Sequence, residues 1–189
     1  MLNNEARSTA VETARKFLGQ KPVFFDTETT GTKELDVIVE VSVVDWEGST
    51  LFDTLVKPNR PIPPDAARVH GITDAKVVWS PPWSQIWPEL EAVFAGRVVG
   101  AYNEAFDVRM LRQSCGLNGI PWSAPYAASF CVMELFAQYY GDWNSRRGSF
   151  RWKNLAFAGQ FFSLPEPNSH RAKDDAYLTK LVLEKMAEG

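Results

Sequence analysis

Residues 37–46, VIVEVSVVDW, are strongly β-branched, and a segment of that kind reads as a strand. Glu47-Gly48 follows as a hairpin turn, leading into another strand over 50–57, TLFDTLVK. Ahead of this pair, residues 21–26 (KPVFFD) are a short apolar run rich in aromatics and bounded by turn residues, which reads as a buried strand. The next residues, TETTGT, read as a loop. A chain that opens with three such strands must cover them with whatever follows. Residues 58–64, PNRPIPP, cannot sit inside a helix or a central strand. After them the pattern alternates. Residues 84–95 read as a helix, 97–103 as a strand and 104–115 as a helix ended by Gly116. Residues 126–140 join a short strand to a helix, and 151–161 and 171–187 read as two final helices. This order predicts an α/β domain, a mixed sheet with helices on its faces. Residues 5–19 read as a short amphipathic helix, so 1–20 form an N-terminal helical extension and 21–189 a single domain.

The chain has 189 residues, which fits one domain able to bury roughly 70% of its unfolded surface. Hydrophobic residues make up 45% and charged residues 23%, as in an ordinary globular protein. No apolar run approaches the roughly 20 residues that span a bilayer. The first residues lack the basic-then-apolar layout of a signal peptide. A soluble cytoplasmic protein without membrane contact is expected. Cys115 and Cys131 are too few for a disulfide framework and lack metal-binding spacing, so reduced thiols are expected. The net charge of −3 argues against a large passive surface for coating nucleic acid. It does not argue against an enzyme that meets phosphate through divalent metals, because carboxylate ligands make the bare protein acidic.

Asp26-Thr27-Glu28 stands where the first strand ends. Side chains two apart on an extended segment point to the same side. Two carboxylates so placed oppose each other's ionisation unless a cation lies between them. Without further support, the same residues are a polar strand end followed by a turn. Thr29, Thr30 and Gly31 add hydroxyls, backbone N–H groups and close approach, which suit a strand of sugar and phosphate. Asp107 follows a strand and Asn103, in the first turn of a helix; its ordinary role there is to favour the helix dipole. His170 and Asp175 lie in NSHRAKDDAYLTKL at the entry to the last helix, with Asn168 or Ser169 as its cap. A histidine near metal-binding acids can act as a general base. Only one of the adjacent Asp174 and Asp175 can face such a site.

The blocks FDTETTG (25–31), HGIT (70–73), YNEAFD (102–107) and HRAKDDA (170–176) occur in this order. Together they resemble the DEDDh exonucleases, the group that includes the epsilon proofreading subunit of bacterial DNA polymerase III. The resemblance covers about residues 22–187. The sibling group with tyrosine places Tyr four residues before the last Asp; Arg171 stands there instead. The resemblance implies a ribonuclease H-like fold with a five-stranded mixed sheet flanked by helices. It implies 3′→5′ exonuclease activity on DNA, for proofreading or trimming, with nucleoside 5′-monophosphates as products. RNA 3′-end trimming is the alternative. Two ions of Mg²⁺ or Mn²⁺ are implied, held by Asp26, Glu28, Asp107 and Asp175, with His170 deprotonating the attacking water. Thr27, Thr29, His70, Ile72 and Asn103 match positions that meet the terminal nucleotide of a single-stranded 3′ end. Two departures concern the substrate: Tyr102 replaces a common His, and CVMEL (131–135) lacks the common Asp-Thr pair. The chain ends soon after the last helix, without the tail by which the epsilon subunit holds its polymerase, so a polymerase partner would need another surface.

Two further features remain. Trp79, Trp83 and Trp87 recur every four residues, as base-stacking platforms or as packing. The stretch 141–154, GDWNSRRGSFRWKN, sets Arg146, Arg147, Arg151 and Lys153 against only Asp142. It reads as a guide for a nucleic-acid strand or as a solvated loop.

Overall fold

The computed structural model describes residues 2–165 and 168–189. Its centre is β1 (Val23–Thr29), flanked by β2 (Ile38–Val44) and then β3 (Thr50–Leu55) on one side. On the other side lie β4 (Val98–Ala101) and β5 (Ala128–Cys131), giving the order β3-β2-β1-β4-β5. The first three strands are antiparallel, whereas β1, β4 and β5 run parallel. The five-stranded mixed sheet expected from the sequence is therefore present. The hairpin turn is wider than Glu47-Gly48. Asp45 closes it, its carboxylate accepting from the N–H of Glu47 (3.0 Å) and of Ser49 (2.8 Å).

Both faces of the sheet are covered because β1 is apolar on both sides. Phe24 points into a core with α1 (Leu2–Leu18), α6 (Val132–Tyr140), α7 (Leu155–Phe161) and α8 (Ala172–Glu188). Phe25 points the opposite way, into a core with α4 (Trp83–Phe94) and α5 (Glu104–Leu117). Burying each of these rings fully contributes about 1.5–3 kcal/mol. The N-terminal helix is thus packed into the domain, with Ala10 and Ala14 fully buried. Gly100 in β4 leaves room for the tip of the Phe130 ring; a Cβ there would meet it at 2.5 Å.

Several boundaries differ from the sequence reading. Strand β1 continues through Thr29, so the loop begins only at Thr30; pairing with β2 carries it past the Thr-rich segment. Helix α5 runs through Gly116 to Leu117, because helix packing tolerates an exposed glycine near a helix end. Two short helices follow the proline stretch, α2 (Pro64–His70) and α3 (Asp74–Val77). Pro64 starts the first of them, where a missing N–H costs nothing. Trp83 and Trp87 are buried packing residues, while Trp79 is 94% exposed. The segment 141–154 is a small hairpin of β6 (Trp143–Asn144) and β7 (Ser149–Phe150). Among the described residues, no helix is long and apolar enough to cross a membrane. Both cysteines are free.

Candidate active site

Strand alternation places Asp26 and Glu28 together. Along β1 only these two residues are half-buried among buried neighbours, and both point to the α8 side with Phe24. Thr27 points the other way and meets Asp107 in the first turn of α5. The Asp107 carboxylate accepts from the Thr27 hydroxyl at 2.7 Å and from the Thr27 N–H at 3.1 Å. Asp107 is only 4% exposed. Its carboxyl is nonetheless held up at about 7, because burial outweighs the two donations from Thr27.

The entry to α8 completes the cluster. His170 and Asp175 reach Glu28, so that one ligand atom from each of the three lies within 4.8 Å of the others. Asp175 is 4% exposed and Asp174 is exposed, so the register turns Asp175 inward. The expected cap is not made. Arg171 occupies the N-cap position, and its side chain makes no cap bond. Instead the Asn168 amide donates to Asp175 (2.5 Å), as does the Ser169 N–H (3.2 Å), while the Ser169 hydroxyl donates to Asp174 (2.7 Å). These residues orient the acids rather than the helix end. His170 itself is exposed and takes a left-handed backbone, with φ at 54°. That is uncommon for a residue with a side chain.

The electrostatics of the cluster are one-sided. Asp26 is pushed well above the ordinary carboxyl range, first by burial and then by Asp107, Glu28, Asp175 and Glu40. Glu28 rises to about 8 by burial and by Asp175, Glu40 and Asp107, with Arg171 opposing. Asp175 rises to about 7, chiefly by burial. A set of buried acids in which Asp26 and Glu28 are each raised by their carboxylate neighbours has the donor set and the charge for divalent cations, whose hard oxygen preference it matches.

The expected substrate residues fall in different places. Thr29, His70, Pro63 and Val69 line a cleft of about 490 Å³ beside Glu28 and Gly31. His70 accepts the Ile72 N–H on Nδ1 (3.0 Å), which leaves Nε2 to donate to the Thr29 carbonyl (3.2 Å). The neutral ring therefore ties α2 to the end of β1. Ile72 is fully buried against Val39, Ile62 and Val77 and does not line the cleft. Asn103 is exposed at the start of α5 and makes no side-chain cap.

Two residues escaped the sequence reading. Glu40 faces Glu28 across the β1–β2 ladder, is 3% exposed and accepts from both Arg171 and the Ala172 N–H. An acid inside a β-branched run was the signal for it. Asp36 organises the loop after β1. It accepts from the Thr30 hydroxyl (3.0 Å) and the Lys33 N–H (2.7 Å), and it lies so close to Gly31 that a Cβ there would sit 2.6 Å from its carboxylate.

The exonuclease family model (RNase_T) matches residues 23–183. The chain belongs to the exonuclease family. Within it, this exonuclease is 33% identical over 187 residues to the uncharacterized exonuclease CP81 of Escherichia phage 186, covering 96% of each chain. It is 34% identical over 157 residues to the DNA polymerase III epsilon subunit of Treponema pallidum (strain Nichols), covering 80% of this chain and 69% of that one. Its fold matches the nuclease domain of 3′hExo, a DEDDh family member solved bound to rAMP. The TM-score is 0.71 at 13% identity, over 90% of this chain and 93% of that one. The exonuclease is thus of the DEDDh type, with the ribonuclease H-like fold that its four sequence blocks imply.

Proposed function

We propose that this exonuclease removes nucleotides from the 3′ end of DNA, with Mg²⁺ or Mn²⁺ in two sites and nucleoside 5′-monophosphates as products. The observation that carries the reading is the meeting of Glu28, Asp175 and His170 from two distant parts of the chain. Asp26, Glu28 and Asp175 would hold one ion, and Asp26 with Asp107 the other. When bound, two divalent ions offset the phosphate charge and act as Lewis acids on the attacking and leaving oxygens. The protein's own groups do the rest. His170, exposed beside the acids, accepts a proton from the attacking water. Thr27 fixes the carboxylate of Asp107. Asn168 and Ser169 hold Asp175 in the orientation that the cluster needs. The cleft beside Glu28, with Thr29 and His70 in its wall, receives the terminal nucleotide. The relation to an epsilon subunit supports DNA as the substrate.

The second reading is trimming of RNA 3′ ends, favoured by the rAMP bound to the structural neighbour 3′hExo. Digestion of end-labelled single-stranded DNA, double-stranded DNA and RNA of one sequence, with Mg²⁺ and with EDTA, separates the two. Release of 5′-monophosphates from the 3′ end of DNA, abolished by EDTA, is the expected result. Cleavage of RNA alone would transfer the reading to RNA, and cleavage that survives EDTA would overturn the two-ion mechanism.

A further inference from the structure

The catalytic cluster uses nothing from the hairpin of β6 and β7, yet that hairpin is built as if to touch something. Its foot is fixed to the end of the sheet that carries the acids. The Tyr102 hydroxyl donates to the carbonyls of Lys153 (3.0 Å) and Asn154 (3.2 Å) just after the hairpin. Two residues on from the Phe24–Gly100 register pair come Asp26 and Tyr102, so the foot lies level with the catalytic end of β1. The frame of the hairpin is closed. Arg151 pairs with Asp142 at 3.0 Å and Lys153 pairs with it at 2.7 Å. Trp143 packs edge-on to Phe150, with ring centroids 5.0 Å apart. Asn144 makes the turn, its side chain accepting from the Arg146 N–H and its carbonyl from the N–H groups of Arg147 and Gly148.

Two kinds of group are left over. Arg146 and Arg147 are exposed at the tip, and among the described residues neither guanidinium meets a carboxylate. Trp152 is 64% exposed and meets no other ring among them. Two adjacent arginines at one tip, with an open indole at the foot of the same hairpin, give this segment both a cationic and an aromatic group facing solvent. Guanidinium groups suit phosphate oxygens, and an exposed indole suits the face of a base. From Lys153 to Arg147 the arm spans at most about 20 Å of extended chain, within reach of a strand whose end is in the catalytic cleft.

Resting on the exonuclease reading above, we propose that this hairpin is a second nucleic-acid contact. It grips the substrate strand upstream of its 3′ end, with Arg146 and Arg147 on phosphates and Trp152 stacked on a base. The hairpin thereby makes the enzyme favour long strands over short ones.

Anisotropy of a labelled single-stranded oligonucleotide of about 16 nucleotides reads the contact directly. The variants are R146A/R147A, R146K/R147K and W152A, each titrated across a salt series. Loss of both arginines should reduce the slope of log K against log salt by about 1.4, and the lysine pair should restore it. W152A should weaken binding roughly 5-fold or more. Hydrolysis of the p-nitrophenyl ester of thymidine 5′-monophosphate serves as the measure of the catalytic centre, because so small a substrate cannot reach the hairpin. A fall in the ratio of long-strand to ester activity supports the proposal. Unchanged affinity and salt slope in all three variants, or an equal loss on both substrates, would overturn it. Should the wild-type protein leave both the ester and DNA intact, the reading of the catalytic centre falls, while the binding curves still decide on the hairpin.

Discussion

Arg171 grips Glu40 from across the β2–α8 junction, its Nε donating to both carboxylate oxygens at 3.1 Å. Its Nη2 donates as well, and the Ala172 N–H donates at 3.0 Å, so a buried acid on β2 fastens the first turn of α8. His170 precedes that turn and Asp175 lies within it. The pair therefore sets where His170 and Asp175 stand relative to β1.

Arg171→Ala should leave Glu40 buried with one donor. Breaking a buried pair costs about 3–5 kcal/mol, discounted here to about 1–3 because the Arg171 side chain is 46% exposed. Urea unfolding measures this. Mn²⁺ affinity should fall in parallel, since both His170 and Asp175 lose their anchor. A stability loss with unchanged Mn²⁺ affinity would separate Arg171 from the site.

His170 is best tested by substitution to asparagine, because its φ of 54° penalises most residues. Asparagine adopts this left-handed region more readily than alanine. His170→Asn should lower kcat by roughly 10²–10⁴-fold with Mn²⁺ affinity and Tm little changed, and should alter the acidic limb of the pH–rate profile. Weakened Mn²⁺ binding with an unaltered pH profile would mean that the residue only fastens the helix entry.

Asp175 and Asp174 are adjacent in sequence and opposite in role. Asp175→Asn should abolish cleavage, whereas Asp174→Asn, which changes an exposed side chain, should leave most of it. End-point digestion of labelled DNA decides, and the reverse outcome would place the wrong acid in the site.

Thr27→Val removes the shorter of the two donations to Asp107 and leaves the backbone one. The loss should cost about 1–2 kcal/mol of stability. It should also push the Asp107 carboxyl further up from about 7, since a donor to the charged form is gone. The pH at which activity appears should rise accordingly; an unmoved pH–rate profile would show that Asp107 does not titrate in the active range.

Stability without metal should depend on pH in a direction opposite to that of most carboxylates. Glu28 moves from an ordinary 4.5 to about 8 in the folded protein, and Asp107 and Asp175 move to about 7. Between about pH 4.5 and 8 the folded state then binds more protons than the unfolded one, so stability falls as pH rises through that window. Melting in EDTA should shift downward from pH 5 to pH 8. Mn²⁺ should reverse the shift, and stabilise most at pH 8, because it binds the deprotonated acids. A Tm that rises with pH in EDTA would contradict the raised pKa values.

The sequence by itself was enough to nominate the residues proposed to carry the chemistry. Asp26 and Glu28 share a side because strand side chains repeat every two residues, a property fixed by the local backbone. The distance from His170 to Asp175 is likewise short enough to be read along the chain. The order of the four blocks made the family and the five-stranded sheet legible as well. Only the tertiary structure decided what surrounds those residues. Glu40 meets Glu28 through strand register, and it meets Arg171 through a separation of 131 residues that no local pattern encodes. Strand β1 outruns its apolar residues because β2 pairs with it through Thr29. Ile72 is core instead of cleft wall because α2 and α3 fold back over β2. Asn168 and Ser169 serve the acids instead of the helix end, since buried carboxylates need donors more than an exposed helix terminus does. For Glu40 and Ile72 the local pattern was weak, and contacts distant in sequence decided their place.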